Sequence, residues 1–339
     1  MGSNETAKES VVQTMSHRFI ETNGLNMHIV EQGTGPLVLL CHGFPEFWYS
    51  WSHQIPALAA AGFHVVAPDQ RGYGQTDKPD AIESYTLLHL VGDMVGLLDA
   101  LGEEKAVIVG HDWGANVAWQ AALLRPDRYR AVAALSVPYI PRGPVTGPRA
   151  TIQPTEAMRQ LSGNHFFYQL YFLDPGVAEA ELERDVRTTM RRLLYGLSGD
   201  TPPADRWHPI LTDPHSNMLN SVPDPTKLPN WLTEEDLDMY VETFQHSGFR
   251  GGLNWYRNFD RNWELLAAYR GGKITVPALF LWGDRDPTLE IPGMSKRIER
   301  MSEVIPHLHS IAFAGAGHWV QEERAAEVNA ELLKFLQSL

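Results

Sequence analysis

Residues 106–114 read Ala106-Val107-Ile108-Val109-Gly110-His111-Asp112-Trp113-Gly114, an apolar run followed by Gly-x-Asp-x-Gly, and the helical pattern Ala115–Leu124 comes next. A short continuous apolar run is the mark of a strand buried on both faces. A sharp turn from strand to helix, bounded by small residues, lifts its middle side chain off the sheet. This is the G-x-S-x-G nucleophile elbow, with Asp112 in the serine's place. The exchange changes the chemistry. A serine must lose a proton to attack, and it suits acyl carbonyls. A carboxylate has an ordinary pKa of about 3.9 and is already ionised at neutral pH. It can displace a leaving group from a saturated carbon, forming an alkyl ester that water later cleaves. Five residues alone also fit a turn with a surface Asp, so the reading depends on what falls at the ends of the neighbouring strands.

Toward the N-terminus, His17–Asn23 and Asn26–Glu31 read as strands around an Asn23-Gly24 turn. Pro36–Leu40 and Phe63–Ala67 are buried-strand runs separated by a helical stretch near Tyr49–Ala60. Leu87–Leu101 carries apolar residues at helical spacing, with Gly102 suited to its C-terminal cap. Beyond the elbow, Ala131–Val137 is a further buried strand. The rhythm then breaks at Pro138, Pro141, Pro144, Pro148 and Pro154, with Gly143 and Gly147 among them. Residues 155–270 show helix and loop signals without buried strand runs. Strands resume at Val276–Leu281 and Ser310–Phe313, and an amphipathic helix covers Glu323–Leu336. Alternating strands and helices predict a mostly parallel sheet flanked by helices. The expected organisation is one α/β core over 17–140 and 271–339, a helical cap over 141–270, and a flexible tail over 1–16.

Composition narrows the function classes. The chain has 339 residues, 43% hydrophobic and 20% charged, with ten Trp, enough for a large apolar core or pocket. A formal net charge of −13 argues against nucleic acid as a partner, because phosphate backbones need clustered Lys and Arg. No apolar stretch is long enough to span a membrane and no secretory signal is visible, which predicts a cytoplasmic protein. The single Cys41 permits no intrachain disulfide and fits a reducing compartment. Met1–Thr6 matches a myristoylation pattern and contains an Asn4-Glu5-Thr6 glycosylation triplet; both read as accidents of a polar tail.

In open α/β sheets, ligands gather beyond the carboxyl ends of the strands. Three segments place polar residues there beside Asp112: His42-Gly43-Phe44-Pro45-Glu46, Gly283-Asp284-Arg285-Asp286 and Gly315-Ala316-Gly317-His318-Trp319. Nucleophile, acid and histidine follow in the chain order of an α/β-hydrolase triad.

On these residues the chain resembles the epoxide hydrolases of the α/β-hydrolase superfamily, the soluble type without the N-terminal phosphatase domain of its two-domain mammalian members. The motifs are His42–Pro45, the Asp elbow Gly110–Gly114, the loop Gly72–Thr76, and two insertion segments, Tyr168–Phe172 and Asn254–Asn258. The resemblance implies an eight-stranded, mostly parallel sheet with an inserted helical cap. It implies hydrolysis of a small hydrophobic epoxide to a vicinal diol without metal or organic cofactor. Asp112 is the expected nucleophile, and His318 oriented by Asp286 the expected base. Tyr168 and Tyr256 are the acids that meet the epoxide oxygen, and the Phe44 and Trp113 N–H groups form the oxyanion hole. Phe44, Trp113, Tyr168, Phe172, Tyr256, Leu289 and Trp319 are the expected pocket. The family also suggests a cis Phe44-Pro45 bond. Monomer and homodimer stay open.

Bland roles are assigned elsewhere. Asp284 reads as a turn residue, His42 and His111 as local loop anchors, and His307 and His309 as surface. The nearest rival enzyme is a haloalkane dehalogenase, which commonly has Asn where this chain has Phe44 and lacks the tyrosine pair. A fluoroacetate dehalogenase would place Arg at 113. A catalytically silent binding protein of the same fold has no need of all five residues Asp112, Asp286, His318, Tyr168 and Tyr256.

Overall fold

The structure is a computed structural model that describes residues 15–142 and 152–339. The motifs of Met1–Thr6 lie outside the described residues, as does the expected tail up to residue 14. Ser16 already belongs to the first strand. Before the insertion come β1 (Ser16–Thr22), β2 (Leu25–Gln32), β3 (Leu37–Cys41), β4 (His64–Pro68), β5 (Ala106–His111) and β6 (Tyr129–Leu135). Within it lie β7 (Phe166–Phe167) and β8 (Ile210–Leu211), and after it β9 (Ala278–Gly283) and β10 (Leu308–Phe313). Eight of these form one sheet in the order β1-β2-β4-β3-β5-β6-β9-β10. The pairs β1·β2 and β2·β4 are antiparallel, and every pair from β4 to β10 is parallel.

This order positions the site. The chain runs outward from β3 to β4, then crosses back to add β5 on the other side of β3. Helices therefore cover opposite faces on the two sides, and a crevice opens beyond the carboxyl ends of β3 and β5. His42–Phe44 and Asp112 are the residues that leave those ends.

The local chemistry explains most boundaries. Asn23 and Gly24 take positive φ (48° and 75°), the pairing a tight hairpin turn requires. The helix Leu87–Leu101 starts on Thr86, whose hydroxyl accepts from the His89 N–H, and stops at Gly102 in the left-handed region. Strands β3 and β5 are buried throughout, as uninterrupted apolar runs require.

Three expectations are corrected. Tyr49–Ala60 is not one helix but a 3-10 turn, Trp48–Trp51, and a helix, Gln54–Ala60, with Pro56 in its first turn, where its missing N–H is harmless. The last helix breaks at Arg324 into Val320–Glu323 and Ala325–Gln337. The insertion is not strand-free: Phe166 and Phe167 pair with Leu211 and Ile210. Two-residue strands are too short to show periodicity, and only tertiary contact brings them together.

The insertion is tied to the core through polar contacts. Thr233 and Asp236 form a capping box at the start of the helix Glu234–Ser247, and Asp236 also accepts from the Tyr49 hydroxyl at 2.7 Å. Trp255 donates its indole N–H to the carbonyl of Arg71 at 3.1 Å. Arg71 is itself held by a buried two-pronged bond to Asp93, at 2.8 and 2.6 Å, and Asn23 donates to the same carboxylate. Removing one partner of such a pair leaves a buried charge uncompensated. Arg71→Met is expected to lower unfolding stability by about 3–5 kcal/mol, read as a fall in the urea midpoint. An unchanged midpoint would show that the pair holds nothing.

Candidate active site

Asp112 sits at φ 51° and ψ −116°, a conformation side-chain-bearing residues rarely adopt, between β5 and the helix Trp113–Leu124. The elbow closes this tightly only because its flanking residues are glycines. A Cβ on Gly110 would meet the Gly114 carbonyl oxygen at 2.0 Å, and one on Gly114 would meet the Cys41 carbonyl oxygen at 2.0 Å. The result is a carboxylate lifted to the switch-point crevice. Its Oδ1 accepts from the Phe44 backbone N–H at 2.9 Å, and its Oδ2 lies 3.6 Å from His318 Nε2. Burial raises the pKa of Asp112, but hydrogen bonding and charge from His318 outweigh this and hold it below the usual carboxylate range.

His318 follows β10 on the loop 314–319. Its Nδ1 lies 2.8 Å from Asp286 Oδ2, and the other oxygen of Asp286 accepts from the Thr288 N–H at 2.8 Å. Asp286 is therefore fixed before it meets the ring. Burial pulls the His318 pKa down, but the Asp286 charge, with hydrogen bonding and charge from Asp112, holds it well above the imidazole range. Asp284 is exposed and accepts from the Gly315 N–H, the turn role expected of it.

The two tyrosines come down from the insertion. Tyr168 opens a short helix, Tyr168–Tyr171, directly after β7. Tyr256 ends the helix Arg250–Tyr256, which lands on the Gly72 loop so closely that a Cβ on Gly251 would meet the Gly72 carbonyl at 2.0 Å. The rings lie 6.2 Å apart. Burial, then the Asp112 charge, pushes both phenols well above their ordinary pKa, so each keeps its proton. The Tyr168 oxygen accepts from Gln169 Nε2 at 3.0 Å, which leaves its own O–H free to donate elsewhere.

Asp112, Trp113, Tyr168 and Tyr256 line one cavity of about 470 Å³, the size of a small-molecule site. Phe44, Phe172, Leu289 and Trp319, expected in the pocket, are not among its lining residues. Phe172 and Phe44 back Tyr256 edge-on, at centroid distances of 4.9 and 5.6 Å. Trp319 is buried with its indole donating to the Leu194 carbonyl. Thr288 and Ile291 reach the cavity where Leu289 does not. The Phe44-Pro45 bond is cis.

Two carboxylates went unassigned in the sequence. Glu46 is fully buried: Oε2 accepts from the Gly43 N–H and lies 2.7 Å from His111 Nδ1, while Oε1 accepts from Gln321. His111 Nε2 reaches the His318 carbonyl at 2.8 Å, so this chain links the Phe44 loop to the histidine loop behind the site. Glu323 accepts from the N–H groups of Gly199, Gly317 and Trp319, and burial pushes its carboxyl up to about 7. Glu46 stood in the quoted segment after β3; nothing in the spacing marked Glu323. His42 Nδ1 meets the Gly43 carbonyl and its Nε2 accepts from the Gln70 N–H, tying its loop to the one after β4, and His307 and His309 are exposed.

The model of the family described as alpha/beta hydrolase fold matches residues 36–325. Epoxide hydrolase A of Mycobacterium tuberculosis (strain ATCC 25618 / H37Rv) is 50% identical over 96% of this chain and 98% of its own length. Epoxide hydrolase 3 of Siraitia grosvenorii is 43% identical over 95% and 98%. The crystal structure of epoxide hydrolase A from Mycobacterium thermoresistibile superposes with a TM-score of 0.87, at 52% identity, covering 96% of this chain and 98% of that one.

Proposed function

The chain belongs to the epoxide hydrolases of the α/β-hydrolase fold, and we propose that it opens its epoxide through a covalent ester on Asp112. The observation that carries this reading is the pair of buried, protonated phenols, Tyr168 and Tyr256, on the same cavity as the carboxylate. A leaving oxygen needs a proton, whereas a leaving halide does not.

Oδ2 of Asp112 is the attacking atom, because Oδ1 already rests on the Phe44 N–H. Oδ2 bonds to one epoxide carbon, the strained C–O bond breaks, and the freed oxygen takes a proton from a tyrosine. Asp112 loses its charge in this step, so one of the two carboxylates holding the His318 proton is gone. His318 then releases that proton, which restores the tyrosine, and becomes the neutral base. It takes a proton from water as the hydroxide adds to the Asp112 carbonyl. The oxyanion forms on Oδ1, against the Phe44 N–H and the Trp113 N–H at the helix start. Collapse expels the diol oxygen, which takes the proton from His318; the carboxylic acid left on Asp112 then passes its proton to the neutral ring, restoring both the carboxylate and the charged His318.

This sequence has a pH signature. Asp112 stays ionised on acidification, since its pKa is held down. His318 in the ester lacks the Asp112 charge, so its pKa falls back toward the ordinary range. Below that value hydrolysis should slow about tenfold for each pH unit while ring opening continues. Rapid-quench experiments should then show a growing burst of ester at low pH. A constant burst at all pH values would contradict the assignment of His318.

The function itself is tested with styrene oxide and trans-stilbene oxide. Diol should appear, and a single turnover in heavy-oxygen water should leave the new diol oxygen unlabelled because it comes from Asp112. Halide release from a chloroalkane with no diol from either epoxide would replace this reading with dehalogenation.

A further inference from the structure

The loop that carries His318 is held from two sides. Toward the core, the His318 carbonyl meets His111 Nε2 at 2.8 Å and accepts from the Ser136 hydroxyl at 2.7 Å. Toward the cap, three successive N–H groups are committed. That of His318 goes to the Leu197 carbonyl at 2.9 Å, and those of Gly317 and Trp319, on either side of it, go to Glu323 at 2.9 and 3.2 Å. Glu323 Oε2 also accepts from the Gly199 N–H of the cap at 2.9 Å. The two segments meet backbone to backbone. A Cβ on Gly199 would lie 2.3 Å from the Gly315 carbonyl oxygen, and one on Gly317 would lie 2.2 Å from the Gly199 nitrogen. One carboxylate therefore joins the cap turn after the helix Val186–Gly196 to the backbone that carries the base. Burial works against it, pushing the carboxyl up to about 7, while the three N–H groups favour the ion.

We propose that Glu323 is a positioning residue for hydrolysis of the ester: it fixes the backbone on both sides of His318 to the seated cap, and so sets where the ring meets water. The inference rests on the proposed ester at Asp112. It concerns the second step alone, because ring opening draws on Asp112 and the tyrosines and needs no base. Glutamine is a sharp probe of it. Oε1 and Oε2 of Glu323 each accept from an N–H, so the amide nitrogen of a glutamine would face a donor in either orientation. The core-side bonds to the His318 carbonyl stay, so the loop keeps its place while its cap side is released. A catalytic group displaced by about 1 Å can lose about 10²-fold in rate.

The test is steady-state and rapid-quench kinetics of Glu323→Gln on styrene oxide. When only the second of two covalent steps slows, kcat and KM fall together, and kcat/KM, which reports ring opening, holds. The expected result is a kcat lower by about 10–10²-fold, a KM that falls with it, and ester accumulating on the peptide containing Asp112. Glu323→Asp keeps both carboxylate oxygens on an arm one carbon shorter. It should recover part of kcat, and it carries the test where the glutamine variant does not fold. A merely structural role would lower kcat in step with the amount of folded protein, with KM unchanged and no ester. That result, a wild-type kcat in Glu323→Gln, or failure of both variants to fold would overturn the proposal. Diol from the wild type with no ester on Asp112, even in His318→Gln, would instead remove the covalent mechanism beneath it.

Discussion

His318→Gln is expected to turn a catalyst into a single-use reagent. Glutamine keeps a polar, planar end close to Asp112 and Asp286 but cannot take a proton from water. On the proposed mechanism ring opening depends on Asp112 and the tyrosines, so it should survive, whereas ester hydrolysis should fall by about 10²–10⁴-fold, the usual loss for a missing general base. The ester then accumulates to one equivalent per chain and appears as a mass increment on the peptide containing Asp112. The geometry makes this a sharp test. His318 is oriented from one side by Asp286, 2.8 Å from Nδ1, and faces the nucleophile from the other at 3.6 Å. The buried His111 beside the elbow has both nitrogens occupied, by Glu46 and the His318 carbonyl, as does the buried His42, by Gly43 and Gln70. Neither has a free position from which to replace the base. Wild-type turnover in His318→Gln, or a modified peptide in His318→Gln/Asp112→Asn, would break the assignment.

How much of this could be read from the letters differs between core and cap. The core strands announce themselves because a strand buried on both faces is built from a continuous apolar run, as Leu37–Cys41 and Ala106–Val109 are. The elbow is legible because its glycines answer to local sterics. Asp286 and Asp284 are two letters apart, and family spacing favoured the one that proves to be buried against His318. The pocket lining was less legible. Phe172 and Trp319 look in sequence like any aromatic near a site, and whether a ring faces a cavity or backs one depends on how the cap helices land. Leu289 was expected to reach the cavity, but its neighbours Thr288 and Ile291 do so instead. Glu46 and Glu323 were hidden for a related reason. Glu46 reaches the side chains of His111 and Gln321, and Glu323 the Gly199 N–H, partners so far away in the chain that no spacing announces them.

Replacing both phenols, Tyr168→Phe with Tyr256→Phe, is expected to abolish ring opening while leaving the fold intact. Each change removes one oxygen and fills the same space, and neither ring leaves its aromatic neighbours, so the melting transition should stay cooperative. The chemistry is less forgiving. The oxygen leaving a saturated carbon carries nearly a full charge beside the apolar side chains of Phe259 and Leu266. Burial, and after it the Asp112 charge, pushes both phenols up, making them weak acids toward solvent but well matched to an alkoxide, which is more basic still. Losing one donor leaves the other, so single variants should retain part of the rate. Losing both should lower kcat/KM by about 10²–10⁴-fold or more, with no ester trapped on Asp112. A second electrophile separates proton donation from simple positioning. An alkyl bromide needs no acid, so its slow alkylation of Asp112 should proceed at similar rates in the wild type and the double variant. If the bromide reaction collapses in parallel with epoxide opening, the tyrosines shape the cavity and do not protonate the oxygen. If only the epoxide reaction is lost, the phenols are the acids, and they make this carboxylate selective for an epoxide.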